Sequence, residues 1–281
     1  MTSSLEGRRI AYRDSGGAAV PLVLLHGFPL DSTIWDDVGA RLVAAGHRVV
    51  TVDLRGCGGS EPSDGPALME ALAGDVAGVL DALRVERAAL AGHSIGGYVA
   101  LAYFRMYAER VAGIALLASH VNADARADSP DPVQRELAAG RAALAERLER
   151  EHSMDAAIAS YLPKYFAPHV YADDPALVER ARAVMARQHP AGAAQLIRGM
   201  AERVDARDLL EDIAVPALVL AGAQDVYLTP ESLRETAAAI AGAEFVALER
   251  VGHAPMLEAP EKTADALASF AERVREHSAA V

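Results

Sequence analysis

Arg87-Ala88-Ala89-Leu90-Ala91-Gly92-His93-Ser94-Ile95-Gly96-Gly97-Tyr98 is the stretch that decides the fold. Residues 87–91 form a short apolar run that reads as a buried strand, and 96–107 reads as a helix. Between them, Gly92-His93-Ser94-Ile95-Gly96 fits the G-x-S-x-G pattern. A strand that turns at once into a helix leaves no room for side chains beside the turn, which is why Gly92 and Gly96 are needed. The turn holds Ser94 in a strained backbone conformation and presents its hydroxyl at the carboxyl end of a sheet. The helix N-terminus beneath it offers free N–H groups and the positive end of a dipole, suited to an oxyanion. The pentapeptide alone is only moderately specific. The strand before it and the helix after it supply the setting that the motif requires.

The same alternation runs outward in both directions. Further strands are expected over 8–14, 21–25, 48–53, 111–118, 216–222 and 244–248. Further helices are expected over 32–45, 67–83, 230–240 and 259–276. Continuous apolar strands alternating with helices indicate an α/β fold with a mostly parallel, doubly wound sheet. The alternation breaks between about Val121 and Asp208. That stretch is rich in Ala, Arg and Glu, and it reads as helices over 133–149, 154–165, 176–188 and 191–204, punctuated by prolines. It is either a set of extra packing helices or a helical cap inserted into the sheet. The cap is the favoured reading, with a core of residues 1–120 and 209–281 and a cap of 121–208.

A serine hydroxyl needs a base, and the base needs an orienting acid. In sheets of this kind the chain order is Ser, then Asp or Glu, then His. Asp225 follows the expected strand 216–222, and His253 follows the expected strand 244–248. Both therefore fall on the sheet edge where Ser94 emerges. Asp124 is a competing acid, six positions beyond the strand ending at Ala118. Asp205, Asp208 and Asp212 lie at the wrong end of the next strand. An oxyanion hole is expected from the backbone N–H of Ile95 and that of Phe28, in the loop His26-Gly27-Phe28-Pro29 after the strand 21–25.

The chain has 281 residues and 27 Lys+Arg against 39 Asp+Glu, a net charge of −12. That balance argues against a nucleic-acid or anionic-membrane partner, both of which need clustered cations. Basic residues mixed with acidic ones, as over 141–150, suit a solvated helix face. The single cysteine, Cys57, excludes an intramolecular disulfide and a Cys-based zinc site. Apolar runs such as 21–25 and 215–221 are too short to cross a bilayer. No apolar segment follows Arg8-Arg9, so a secretory signal is not expected and a cytoplasmic location is.

With these residues together, the chain resembles the α/β-hydrolase superfamily over nearly its whole length. The resemblance rests on His26-Gly27-Phe28-Pro29, Asp53-Leu54-Arg55-Gly56-Cys57-Gly58-Gly59-Ser60, the turn at Ser94, Asp225, Gly252-His253 and Glu258-Ala259-Pro260-Glu261. It is most similar to esterases and enol-lactone hydrolases of the small-molecule type. The resemblance implies a helical cap where the alternation breaks. Relatives with an aspartate at the turn are dehalogenases and epoxide hydrolases; a serine there implies acyl transfer instead.

The expected activity is hydrolysis of a small-molecule carboxylic ester or lactone through Ser94, His253 and Asp225, without metal or organic cofactor. Carbon–carbon bond hydrolysis of a dienoic diketone and peroxyacid formation use the same three residues. A small-molecule receptor on the same fold is the non-enzymatic alternative. The expected partner is the substrate, and a homodimer is left open. Trp35 lines the pocket or packs in the core. His120 and Tyr161 are expected to face the substrate, with Tyr165, Phe166 and Tyr171 clustered near the latter. His26 and His93 are expected to support the loop and the turn, and Cys57 to be a buried thiol.

Overall fold

The computed structural model describes residues 1–5 and 7–280. Its strands are β1 (Thr2–Leu5), β2 (Arg8–Asp14), β3 (Leu22–Leu25), β4 (Val49–Val52), β5 (Ala88–His93), β6 (Val111–Leu117), β7 (Ala217–Gly222) and β8 (Glu244–Leu248). Among the described residues they form one sheet in the order β1-β2-β4-β3-β5-β6-β7-β8. β2 runs antiparallel to β1 and β4, and every other pairing is parallel. Strands β3 to β7 are buried at every position, so both of their faces are covered and no polar alternation is needed. β2 buries only Ile10 and Tyr12, two apart on one face.

The helices are α1 (Asp36–Ala44), α2 (Met69–Ala82), α3 (Ile95–Tyr107), α4 (Pro132–Glu151), α5 (Asp155–Tyr161), α6 (Val170–Asp173), α7 (Pro175–Ala186), α8 (Pro190–Ala201), α9 (Pro230–Ala238), α10 (Pro255–Glu258) and α11 (Pro260–Ala280). α1 packs on α11, and α11 lies on β6. α2 packs on α3, which crosses β3, β5 and β6. α9 covers β7 and β8. None of the helices among the described residues is long and apolar enough to cross a membrane.

Helices α4 to α8 are inserted between β6 and β7. α4 packs along α8, and α5 touches both α4 and α7. Two of the ties between the insertion and the sheet's loops lie at α8 and at the end of α7. At α8, Ala67 N–H donates to Gln195 O at 2.9 Å. At the end of α7, the Arg187 guanidinium donates twice to the Asp31 carboxylate, at 2.8 and 2.8 Å, and Gln188 Nε2 adds a third bond at 2.9 Å. Burial pushes the Asp31 carboxyl up, but the bonds from Arg187, Thr33 and Gln188 outweigh it and hold the group well below the usual carboxylate range.

The structure departs from the sequence reading in a few places. The helix expected over 32–45 opens as a 3₁₀ turn, Ser32–Trp35, capped by the Asp31 side chain, before α1 begins. The helix expected over 154–165 splits into α5 and the 3₁₀ turn Leu162–Lys164, where Pro163 has no N–H to continue the ladder. β1 has no counterpart in the sequence reading.

Candidate active site

The site begins at the turn from β5 to α3. Ser94 has φ +51° and ψ −117°, a conformation that L-residues rarely adopt. Close backbone contact enforces it. A Cβ on Gly92 would lie 2.2 Å from the Gly96 carbonyl, and one on Gly96 would lie 2.4 Å from Leu25 O. Behind the turn, the fully buried Ser119 donates its hydroxyl to Ser94 O at 2.8 Å. Ser94 stands at the N-terminus of α3. The N–H of Ile95, the first helical residue, has no acceptor in the helix ladder.

Asp225 and His253 are carried by the loops that follow β7 and β8. His253 Nδ1 donates to Asp225 Oδ2 at 2.8 Å, and both residues are buried. The other oxygen, Oδ1, accepts the N–H groups of Tyr227 at 2.8 Å and Leu228 at 3.2 Å. Those bonds hold the carboxylate in place beside the imidazole. With Nδ1 as the donor, Nε2 is left as the acceptor. Asp124, the competing acid, is elsewhere: it is buried in an ion pair with Arg141.

The backbone around His253 is held from three sides. Glu258, at the end of α10, folds back and accepts from Gly252 N–H at 2.9 Å and Ala254 N–H at 3.2 Å. The same carboxylate accepts from Ala167 N–H of the insertion at 2.8 Å. His253 N–H donates to Tyr165 O at 3.2 Å. The fully buried His93 donates Nε2–H to His253 O at 2.8 Å. Burial pushes the His93 imidazole well below its ordinary range, so it stays neutral. His26 does a similar job for the loop after β3: its Nε2 accepts Leu54 N–H at 2.9 Å, and its Nδ1 donates to Gly27 O at 3.0 Å.

Ser94, His253 and Phe28 open onto one cavity of about 590 Å³, which is walled by α4, α5 and the segment after β7. His120 and Tyr161 line it as well. Phe28 packs edge-on against Tyr161, with ring centroids 5.2 Å apart. Burial, followed by the charges on Arg203 and Arg141, pushes His120 down to about 4, so it is a neutral imidazole.

Trp35 does not line this cavity. It is 0 % exposed and belongs to the hydrophobic core. The 3₁₀ turn Ser32–Trp35 swings the indole inward, where a large ring gains most from burial. The mixed-charge segment 141–150 is not uniformly solvated either, since Arg141 faces the cavity. Cys57 is buried, and burial pushes its thiol well up, as suits an inert group. Sequence reasoning gave no site role to Ser119, Glu258 or Arg141. Ser119 meets Ser94 across 25 residues and Glu258 meets Ala167 across 91, spacings that leave no local motif.

A family model described as the alpha/beta hydrolase family matches residues 22–266. A pimeloyl-[acyl-carrier protein] methyl ester esterase of Neisseria meningitidis serogroup A is 30 % identical over 270 residues, 95 % of this chain and 82 % of that protein. A thermophilic esterase from Thermogutta terrifontis, solved with malate bound, superposes with a TM-score of 0.88 at 34 % identity, covering 97 % of both chains. The enol-lactonase from Burkholderia xenovorans LB400 superposes with a TM-score of 0.83 at 30 % identity, covering 96 % of this chain and 99 % of that one.

Proposed function

The chain belongs to the alpha/beta hydrolase family, and on that footing we propose that it is a serine hydrolase cleaving a small-molecule carboxylic ester or lactone. The observation that carries this reading is the 2.8 Å Asp225–His253 bond, which opens onto the same cavity as Ser94 on its strained turn. Esterases and an enol-lactonase among the similar proteins support it.

In this reading Ser94 Oγ attacks the substrate carbonyl carbon while His253 Nε2 takes its proton. Asp225 stays ionised, fixes the tautomer and stabilises the imidazolium. The N–H groups of Ile95 and Phe28 receive the oxyanion. Collapse of the tetrahedral intermediate releases the alkoxide, which takes its proton from His253. Water then attacks the acyl-enzyme with His253 as base, and the acid leaves with Ser94 restored. Residues 121–208 serve as the cap that shapes the pocket, with His120 and Tyr161 facing the substrate.

The test is turnover of p-nitrophenyl acetate. Ser94→Ala is expected to lower kcat about a thousandfold or more. A fluorophosphonate probe is expected to label the wild type once, at Ser94. A variant with full activity overturns the assignment. Cleavage of dienoic diketones without ester turnover would move the reaction to carbon–carbon bonds, and tight binding without turnover would make the protein a receptor.

A further inference from the structure

We propose that the cavity receives a substrate bearing a carboxylate at the end of a short apolar arm, and that Arg141 binds that carboxylate. The inference rests on the ester-hydrolase reading and deepens it to a substrate class.

Arg141 projects from α4 into the wall of the cavity that contains Ser94. One of its nitrogens, Nη1, meets Asp124 Oδ2. The Asp124 side chain is 4 % exposed, and its other oxygen accepts Ala125 N–H at 2.8 Å, so the acid is a fixed anchor. A guanidinium has five N–H donors. Those on Nε and Nη2 of Arg141 meet no protein acceptor among the described residues. The cavity walls also include Phe28, Leu137, Leu144, Met200 and Leu228, which suit an apolar arm.

The charges around this wall do not cancel. Arg203 stacks over the Tyr98 ring at 3.8 Å and donates to Asn122 O at 2.8 and 3.1 Å. It has no ion-pair partner among the described residues. Tyr98 and His120 stand in front of it and line the cavity. His120 is neutral, and Asp205, the other acid near Arg203, is ion-paired with Arg207, so Asp124 is left as the acid facing the two guanidinium groups. Asp225 is committed to His253, and Glu136 and Lys164 offset each other elsewhere in the cavity lining. One further negative charge completes the set. A carboxylate has the charge and the planar shape that the free edge of a guanidinium receives through paired bonds. A neutral arm would leave those donors desolvated and unpaired, which penalises it.

The experiment compares charged and neutral esters in matched pairs. Monomethyl esters of linear dicarboxylic acids, from succinate to suberate, carry the charge on the acyl side. Acetyl esters of ω-hydroxy acids carry it on the alcohol side. The dimethyl esters and the acetyl esters of the corresponding alcohols are the neutral controls. Wild type is expected to favour at least one charged series about tenfold or more in kcat/KM. Arg141→Gln is expected to lower kcat/KM for that series about a hundredfold, mainly through KM, and to cut the ratio of charged to neutral kcat/KM about tenfold or more. Arg141→Lys should keep part of the preference. In the wild type, the free dicarboxylate should inhibit neutral-ester hydrolysis competitively and its dimethyl ester should not, a measurement that needs no variant to fold. No charged preference in either series, or equal losses on charged and neutral esters in Arg141→Gln, overturns the inference. Absence of turnover on every ester overturns the ester-hydrolase reading instead.

Discussion

The turn that carries Ser94 and the loop that carries His253 are built on opposite principles. The turn is fixed from within the sheet core. Gly92 and Gly96 touch each other's backbone and that of Leu25, and Ser119 braces the carbonyl of Ser94. No residue of the inserted helices takes part. The histidine loop is fixed by hydrogen bonds, and two of its partners, Tyr165 O and Ala167 N–H, belong to the insertion. The insertion's backbone comes so close that position 252 must be glycine: a Cβ there would lie 2.4 Å from Ala167 N. The nucleophile is thus positioned by sterics and the base by a polar clamp shared with the helices that wall the substrate cavity. A steric device fails by unfolding. A polar clamp fails by losing geometry while the fold survives.

Gly96→Ala tests the steric half and carries the largest expected effect. The new Cβ meets backbone, Leu25 O at 2.4 Å, and not the end of a flexible side chain. The expected loss is about 3 kcal/mol or more, which for a chain of this size lowers Tm by roughly 5 °C or more. Gly74→Ala is the internal control. Gly74 lies within α2 with nothing within 4 Å of the new Cβ, so Tm should hold or rise. Thermal melts of the two variants decide the matter. A Gly96→Ala protein as stable as wild type would mean that the turn tolerates a shift the packing denies it.

Glu258→Gln tests the polar half. The amide keeps one acceptor and turns a donor toward backbone N–H groups, so the clamp opens without a large change in volume. The expected result is a ten- to hundredfold fall in kcat, about 1.4 to 2.8 kcal/mol of transition-state stabilisation. KM should change little, and Tm should fall less than in Gly96→Ala. The low-field Nδ1 proton of His253 should shift or broaden in the NMR spectrum, which a merely structural loss would not cause. The pH dependence sharpens the contrast. Burial raises the Glu258 carboxyl above its ordinary value, and the N–H groups of Ala167, Gly252 and Ala254 only partly oppose it; His169, Tyr165 and Tyr171 are its titratable neighbours. A raised pKa means that this group's contribution to stability is fully present below the unfolded value and is lost as pH rises through the folded one. Activity runs the other way, because a protonated carboxyl can no longer accept from all three N–H groups. Acidification should therefore cost wild-type activity while this group favours folding. Profiles of kcat and Tm against pH should lose both components in Glu258→Gln.

The same division governs what the sequence disclosed. β2 and β8 lie where their alternating or apolar residues put them, over Arg8–Asp14 and Glu244–Leu248. The turn at Ser94 was legible because sterics leave a local glycine signature. Asp225 and His253 could be named because each follows an apolar strand on the edge where Ser94 emerges, and the two lie within hydrogen-bond distance. The polar clamp left no such trace. Glu258 reaches three N–H groups, one of them 91 residues away in the chain. Arg141 sits in a helix whose mixed charges read as solvated, and only the placement of α4 beside Ser94 turns it inward. Trp35 went to the core because a 3₁₀ turn, set by the Asp31 cap, rotates it away from the face an unbroken helix would present.

Tyr165→Phe carries the smallest expected effect and asks whether the two halves meet. The Tyr165 hydroxyl donates to Phe28 O at 3.4 Å, a long bond, and Phe28 belongs to the loop expected to bind the oxyanion. Burial pushes the phenol well above its ordinary range, so it remains a donor at working pH. The ring makes edge contacts with His253 at 5.5 Å and His93 at 6.1 Å, and phenylalanine preserves both. The main-chain bond from His253 N–H to Tyr165 O is untouched by the substitution. What is lost is one weak hydrogen bond, so kcat should stay within about threefold of wild type, less than about 0.7 kcal/mol. Steady-state kinetics on an activated ester measures it. A fall beyond tenfold would mean that the insertion holds the oxyanion loop as well as the histidine loop. Only the turn at Ser94 would then be fixed by the core alone.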